Sequence, residues 1–110
     1  MIFIVVKFRV RPELVDDWPL LVGPFTAATR AEAGNISFEW FRSLDEPNLY
    51  VLIEAFRDGE AGRVHVESDH FQTAIAAMPQ WLRETPEIVN VEIPGDGWSR
   101  MGEMQVDPSN

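Results

Sequence analysis

Apolar and polar positions alternate with period two through the first ten residues. Ile2, Ile4, Val6, Phe8 and Val10 fall on one face and Phe3, Val5, Lys7 and Arg9 on the other, which predicts a strand. From Arg11-Pro12-Glu13 the period lengthens to that of a helix, with Leu14, Trp18, Leu21, Val22 and Phe25 on one stripe. Pro19 and Pro24 must bend or interrupt it. The second half, PFTAATRAEAG, has helical propensity up to Gly34. Alternation resumes from Asn35 to Leu44, with Ile36, Phe38 and Trp40 together. Asp45-Glu46-Pro47-Asn48 is a turn, and Leu49–Phe56 is a third strand paired with the second as a hairpin. Asp58 caps a short helical piece, Glu60 to Val66, and Ser68 caps a longer one that carries Ala74, Ile75 and Met78 before Pro79. Residues 82–87 connect to a fourth strand, Ile88 to Ile93.

The order is βαββαβ, which predicts an α+β, ferredoxin-like domain: a four-stranded antiparallel sheet with helices on one face. Residues 1–95 form that domain and residues 96–110 a tail. Trp98, Met101 and Met104 give the tail apolar points that predict docking of residues 96–106 on the body or on a partner chain. Phe3, Val5 and the second face of the third strand are too apolar to stay wet, so a homodimer packed sheet against sheet is expected.

The third strand, LYVLIEAF, holds one acid. Tyr50, Leu52, Glu54 and Phe56 share a side, and a buried carboxylate needs a partner or a role. Both histidines of the chain, His65 and His70, follow within the next segment. An ordinary imidazole titrates near ~6.5 and accepts a proton at neutral pH, so Glu54 and His65 make a candidate acid–base pair. Five residues turn a continuous helix by about 140°, so His70 shares the face of His65 only if the helix breaks at Glu67-Ser68. Such a break would also permit a two-histidine, one-carboxylate iron site with Glu54. Salt bridges from Glu54 to Arg9, Arg57 or Arg63 are the plain structural alternative.

Composition narrows the classes. At 110 residues with a formal net charge of -9, the chain lacks the basic surface that nucleic acid or anionic membrane would require. No cysteine is present, which removes disulfides, iron–sulfur clusters and thiolate zinc sites. The opening IFIVV is too short for a signal-peptide core, and a cytoplasmic protein is expected. There is no G-x-G-x-x-G or Walker sequence.

Gly34-Asn35, Phe38, Glu54-Ala55-Phe56, His65, and the spaced Ser68, His70 and Phe71 together resemble the antibiotic biosynthesis monooxygenase superfamily, over roughly residues 2–94. The resemblance implies a dimeric α+β barrel of the quinol monooxygenase-like kind. Its members oxidise polyphenols and quinols with O2 and no cofactor, degrade haem, or process autoinducer-2. Against the haem-degrading branch this chain has His65 in place of a tryptophan, Ile75 in place of the haem-ligating histidine, and Val6 near its asparagine. Against the autoinducer-2 branch it has Thr26 and Phe71 where a histidine and a tyrosine stand. The resemblance thus implies a cofactor-independent monooxygenase acting on a small aromatic substrate and O2. In it His65 is the base, Glu54 its orienter, Asn35 and Thr26 polar contacts, and Phe38 and Phe71 walls; His70, by its place on the helix, either packs at the helix start or lies at the rim as a substrate contact. No haem, flavin or metal is expected. The alternatives are an isomerase or degrading enzyme for an autoinducer-2-like metabolite, and a non-catalytic dimeric ligand-binding protein.

Overall fold

The alternating opening becomes β1 (Ile2–Arg9), at the centre of an antiparallel sheet in the computed structural model, which describes residues 1–110. Its other strands are β2 (Asn35–Arg42), β3 (Leu49–Phe56) and β4 (Glu87–Glu92), in the order β2-β3-β1-β4. The register sets Ile4 between Glu54 and Asn90, and Val6 between Leu52 and Ile88. Period-two geometry places all of these on one face. Against that face lie α1 (Trp18–Leu21), α2 (Gly23–Arg30), α3 (Gly59–Glu67) and α4 (Asp69–Ala77). This is the ferredoxin-like α+β arrangement.

The expected first helix is in fact broken into pieces. A 3-10 turn at Val15–Asp17 precedes α1, and Val22 separates α1 from α2. The expected interruption is there: Pro19 and Pro24 each stand in the first turn of their own helix, where a missing N–H costs nothing. α2 ends at Arg30, four residues short of Gly34. A second departure lies in β2. Asn35 pairs with Phe56 but Ser37 with Ala55, so Ile36 is the extra residue of a bulge. It leaves the inner face of Phe38 and Trp40 and stands 42% exposed.

The core gathers around Trp18, which is fully buried and contacts the rings of Phe8, Trp40, Tyr50 and Trp81 at centroid distances of 5.6–6.3 Å. Burying side chains of this size contributes roughly 1.5–3 kcal/mol each. The hydroxyl of Tyr50 donates to the Val15 carbonyl, fixing the first 3-10 turn to β3.

The break between the two histidines is real. Asp58 caps α3 through the Ala61 amide. Ser68 ends α3 and begins α4 with an extended backbone; its hydroxyl donates to the His65 carbonyl and accepts from the Phe71 amide. One side chain therefore sets the angle between the two helices.

On the outer face of the sheet, Val89 and Val91 of β4 and Ile36 and Phe41 of β2 are exposed. Phe3, Val5, Val51 and Ile53 are half-covered. The tail does not close over this face. Trp98 borders a groove with Phe3, Ile36 and Ile93, yet it is 80% exposed, and Met101 and Met104 are exposed as well.

Candidate active site

Between the inner face of the sheet and α2, α3 and α4 lies a cavity of about 370 Å³, within the range usual for small-molecule sites. Its walls are apolar: Ile4, Val6, Leu52, Phe25, Phe71 and Met78 are among them. Glu54 and His65 stand together in the lining, and Asn90 is the remaining amide. Strand register puts Glu54 and Asn90 in one row on either side of Ile4, two strands apart.

Glu54 is buried, with no lysine or arginine beside it; Arg9, Arg57 and Arg63 all pair with other acids. Burial first, and the negative charge of Glu32 second, push its carboxyl up to about 7. His65, 4% exposed, sits under Phe56, Phe25 and Phe71, whose rings approach it at 4.7, 5.8 and 5.1 Å. Its Nε2 is 3.8 Å from Glu54 Oε1, which is too long for a hydrogen bond.

The imidazole is held from its other side. Nδ1 is 2.8 Å from Oε2 of Glu32, a residue in the loop between α2 and β2, and the same oxygen is 2.5 Å from Nε2 of His70. The carboxylate thus accepts from both rings. The proton on Nδ1 of His65 leaves the Nε2 lone pair turned to Glu54 and the cavity. The expected orienter was Glu54; the group that orients the ring in the structure is Glu32. The structure also brings His70 to the same acid, because Ser68 breaks the helix.

The other expected contacts lie elsewhere. The Thr26 hydroxyl donates to the Val22 carbonyl and accepts from Trp40 Nε1. Asn35 donates to the carbonyls of Ser37 and Ala55, holding the bulge. Phe38 is buried behind His65, edge-on to Phe25. None of these three lines the cavity; Phe71 does. Sequence reasoning missed Glu32, Phe25 and Asn90 as site residues. The only signal for Glu32 was an acid two positions before the glycine that ends a helical stretch.

Donor atoms of Glu32, His65 and His70 all lie within 4.8 Å of one another. Two imidazoles and a carboxylate are a set that divalent transition cations take.

Comparison with known proteins agrees with this architecture. The model of the family described as "Antibiotic biosynthesis monooxygenase" matches residues 1–77. The "Putative monooxygenase YcnE" of Bacillus subtilis (strain 168) is 28% identical over 93 residues, covering 84% of this chain and 98% of that protein. Among solved structures, Rv0793 from Mycobacterium tuberculosis is similar at 26% identity and a TM-score of 0.78, covering 89% of this chain and 98% of the other. A conserved protein from Methanosarcina mazei Go1 is 27% identical with a TM-score of 0.77, covering 82% of this chain and 89% of the other. No helix is long and apolar enough to cross a membrane.

Proposed function

Because the chain belongs to the antibiotic biosynthesis monooxygenase family, we propose that it is a cofactor-independent monooxygenase that oxidises a small polyphenol or quinol with O2, with His65 as the base. One observation carries this reading: an imidazole fixed by a buried carboxylate at Nδ1 turns Nε2 toward an apolar cavity of about 370 Å³. A flat aromatic ring fits between Ile4, Phe25 and Phe71, with a hydroxyl at His65 and Glu54 and room for a second oxygen toward Asn90. Loss of the phenolic proton to His65 makes the ring electron-rich enough to reduce O2 itself. Overall a quinol and O2 give a hydroxyquinone and water; the substrate supplies all four electrons, and one oxygen atom forms the new C–O bond. The protein's part is to bind, deprotonate and exclude water. Glu32 is a positioning residue that keeps the Nδ1–H tautomer. Glu54, neutral or ionised near pH 7, faces the site where the hydroxyl lies.

The test is oxygen uptake over a panel of quinols, with the protein treated with chelator beforehand. Consumption of one O2 per hydroxyquinone formed is expected. No uptake with any quinol, together with turnover or binding of a sugar-like signalling metabolite, would replace this reading.

The active form is proposed to be a homodimer that covers the outer sheet face, since Val5, Ile53, Val89 and Val91 make one continuous apolar band across three strands. Light scattering at micromolar concentration is expected to give twice the 12.5 kDa chain mass. A stable monomer there would remove the dimer from the proposal.

A further inference from the structure

The buried polar cluster is short of positive charge. Glu32 and Glu54 are both inside, their only ion-pair partners are histidines, and no lysine or arginine reaches either one. The Glu32 side chain is 9% exposed, and its second oxygen, Oε1, is fully buried with no hydrogen-bond partner. An ionised carboxylate in that position leaves a buried acceptor unsatisfied. Two imidazole nitrogens on separate helices, Nδ1 of His65 and Nε2 of His70, converge on the other oxygen at 2.8 and 2.5 Å.

We propose that Glu32, His65 and His70 form a binding site for a divalent first-row transition cation, zinc or one of its neighbours, on the side of His65 remote from the cavity. Two nitrogens and a carboxylate suit such an ion better than magnesium or calcium, which prefer oxygen-only shells. Bonds of about 2.0–2.2 Å place donors about 3–3.5 Å apart. The nitrogen–oxygen spacings of 2.8 and 2.5 Å open by about 0.2–1 Å to reach that separation. The orphaned Oε1 supplies a further ligand atom, and His70, whose side chain is 26% exposed, leaves an entry path from solvent. The rings of Phe25, Phe56 and Phe71 around His65 form an apolar shell that limits competing water. The sequence alone points to no metal, and its one candidate set joins the histidines to Glu54; in the structure Glu54 faces the cavity and Glu32 is the carboxylate both histidines share.

Occupancy has a consequence for the reaction, and that consequence alone rests on the function proposed above. A cation on Nδ1 displaces the proton there, and a neutral imidazole then carries its proton on Nε2. The ring turns from acceptor to donor toward the cavity, so the loaded protein is the inactive one.

The experiment uses the full-length chain, stripped with chelator and titrated with Co2+ alone, then with Zn2+ in competition. One Co2+ per chain is expected, with visible absorption bands of a low-coordinate nitrogen–oxygen site. His70→Ala and Glu32→Gln should each weaken binding at least about 100-fold, beyond the roughly 10–100-fold that loss of a merely supporting group causes. Melting curves test whether both variants fold; His70→Asn is a second, more conservative variant should His70→Ala not fold. Absence of stoichiometric binding at millimolar cation overturns the proposal, as does binding that survives the His70 change undiminished. Cation binding in a chain that oxidises no quinol leaves the site standing and removes only the function reading. Quinol oxidation with no cation binding does the reverse.

Discussion

His65→Ala is expected to lower oxygen uptake by about 10²–10⁴-fold, the usual contribution of a positioned general base. It removes the only group whose free nitrogen faces the cavity from a held position. The same change strips Glu32 of one of its two donors inside the protein, so some loss of stability accompanies it. His65→Gln, which keeps a donor for Glu32 but is no base, separates the two effects: it should be stable and equally inactive. Glu32→Gln should reduce turnover less, because an amide oxygen still accepts from Nδ1. Glu54→Gln should also fall short of the His65 effect. Initial-rate measurements at saturating and at low quinol decide the matter. A His65→Ala protein with more than a tenth of normal turnover would mean that another group takes the proton.

Gly34→Ala should destabilise the fold by about 1–3 kcal/mol, the range for forcing extra atoms into a packed contact. A Cβ at Gly34 would lie 2.3 Å from Ala61 Cβ and 3.3 Å from Ala61 Cα, so helix or loop backbone has to move. The loop is not free to yield: the Gly34 carbonyl accepts from the Arg57 amide, and the Asn35 amide reaches back to the Glu32 carbonyl. Ala61 and His65 are one turn apart on α3, while Glu32 stands two residues before Gly34. Pushing loop and helix apart therefore stretches the 2.8 Å contact between Glu32 and His65, and turnover should fall with stability. Ala61→Gly in the same chain makes the space again and should recover much of both, less about 1 kcal/mol for a glycine within a helix. Chemical denaturation of the single and double variants measures this. A Gly34→Ala protein as stable as its parent would show that the close approach carries no cost.

Period-two alternation makes most of the sheet legible, because the two faces of a strand meet different surroundings and a shift of one residue would exchange them. It failed at Ile36, where a bulge inserts a residue and the pattern cannot show which position was added. The first helical stretch failed differently. Its apolar stripe shows in Val22 and Phe25, and the prolines mark an interruption, but a sequence pattern does not tell that Pro19 and Pro24 each begin a new helix. For the site, Glu54 and His65 could be found because an acid on an apolar strand and a scarce histidine stand out from their surroundings. Glu32 could not. It is one of 18 acidic residues, in a loop without periodicity, and only the fold tells which acid two histidines will share.

The junction between α3 and α4 behaves as a ruler. Two helices of nine residues each meet at the single residue Ser68, bound to both by its hydroxyl. Exchange of residue types on the outer faces leaves this arrangement intact, but a change in residue number cannot. One position added within α3 after His65 or in the first turn of α4 turns the helical residues after it by about 100°. His70 leaves Glu32, Phe71 leaves the cavity, and Ala74 and Met78 leave the core, all in one event. Connections between helices usually absorb insertions. This one fixes a length, so natural variation in chain length among active relatives belongs at the hairpin turn or the tail and not between these two histidines.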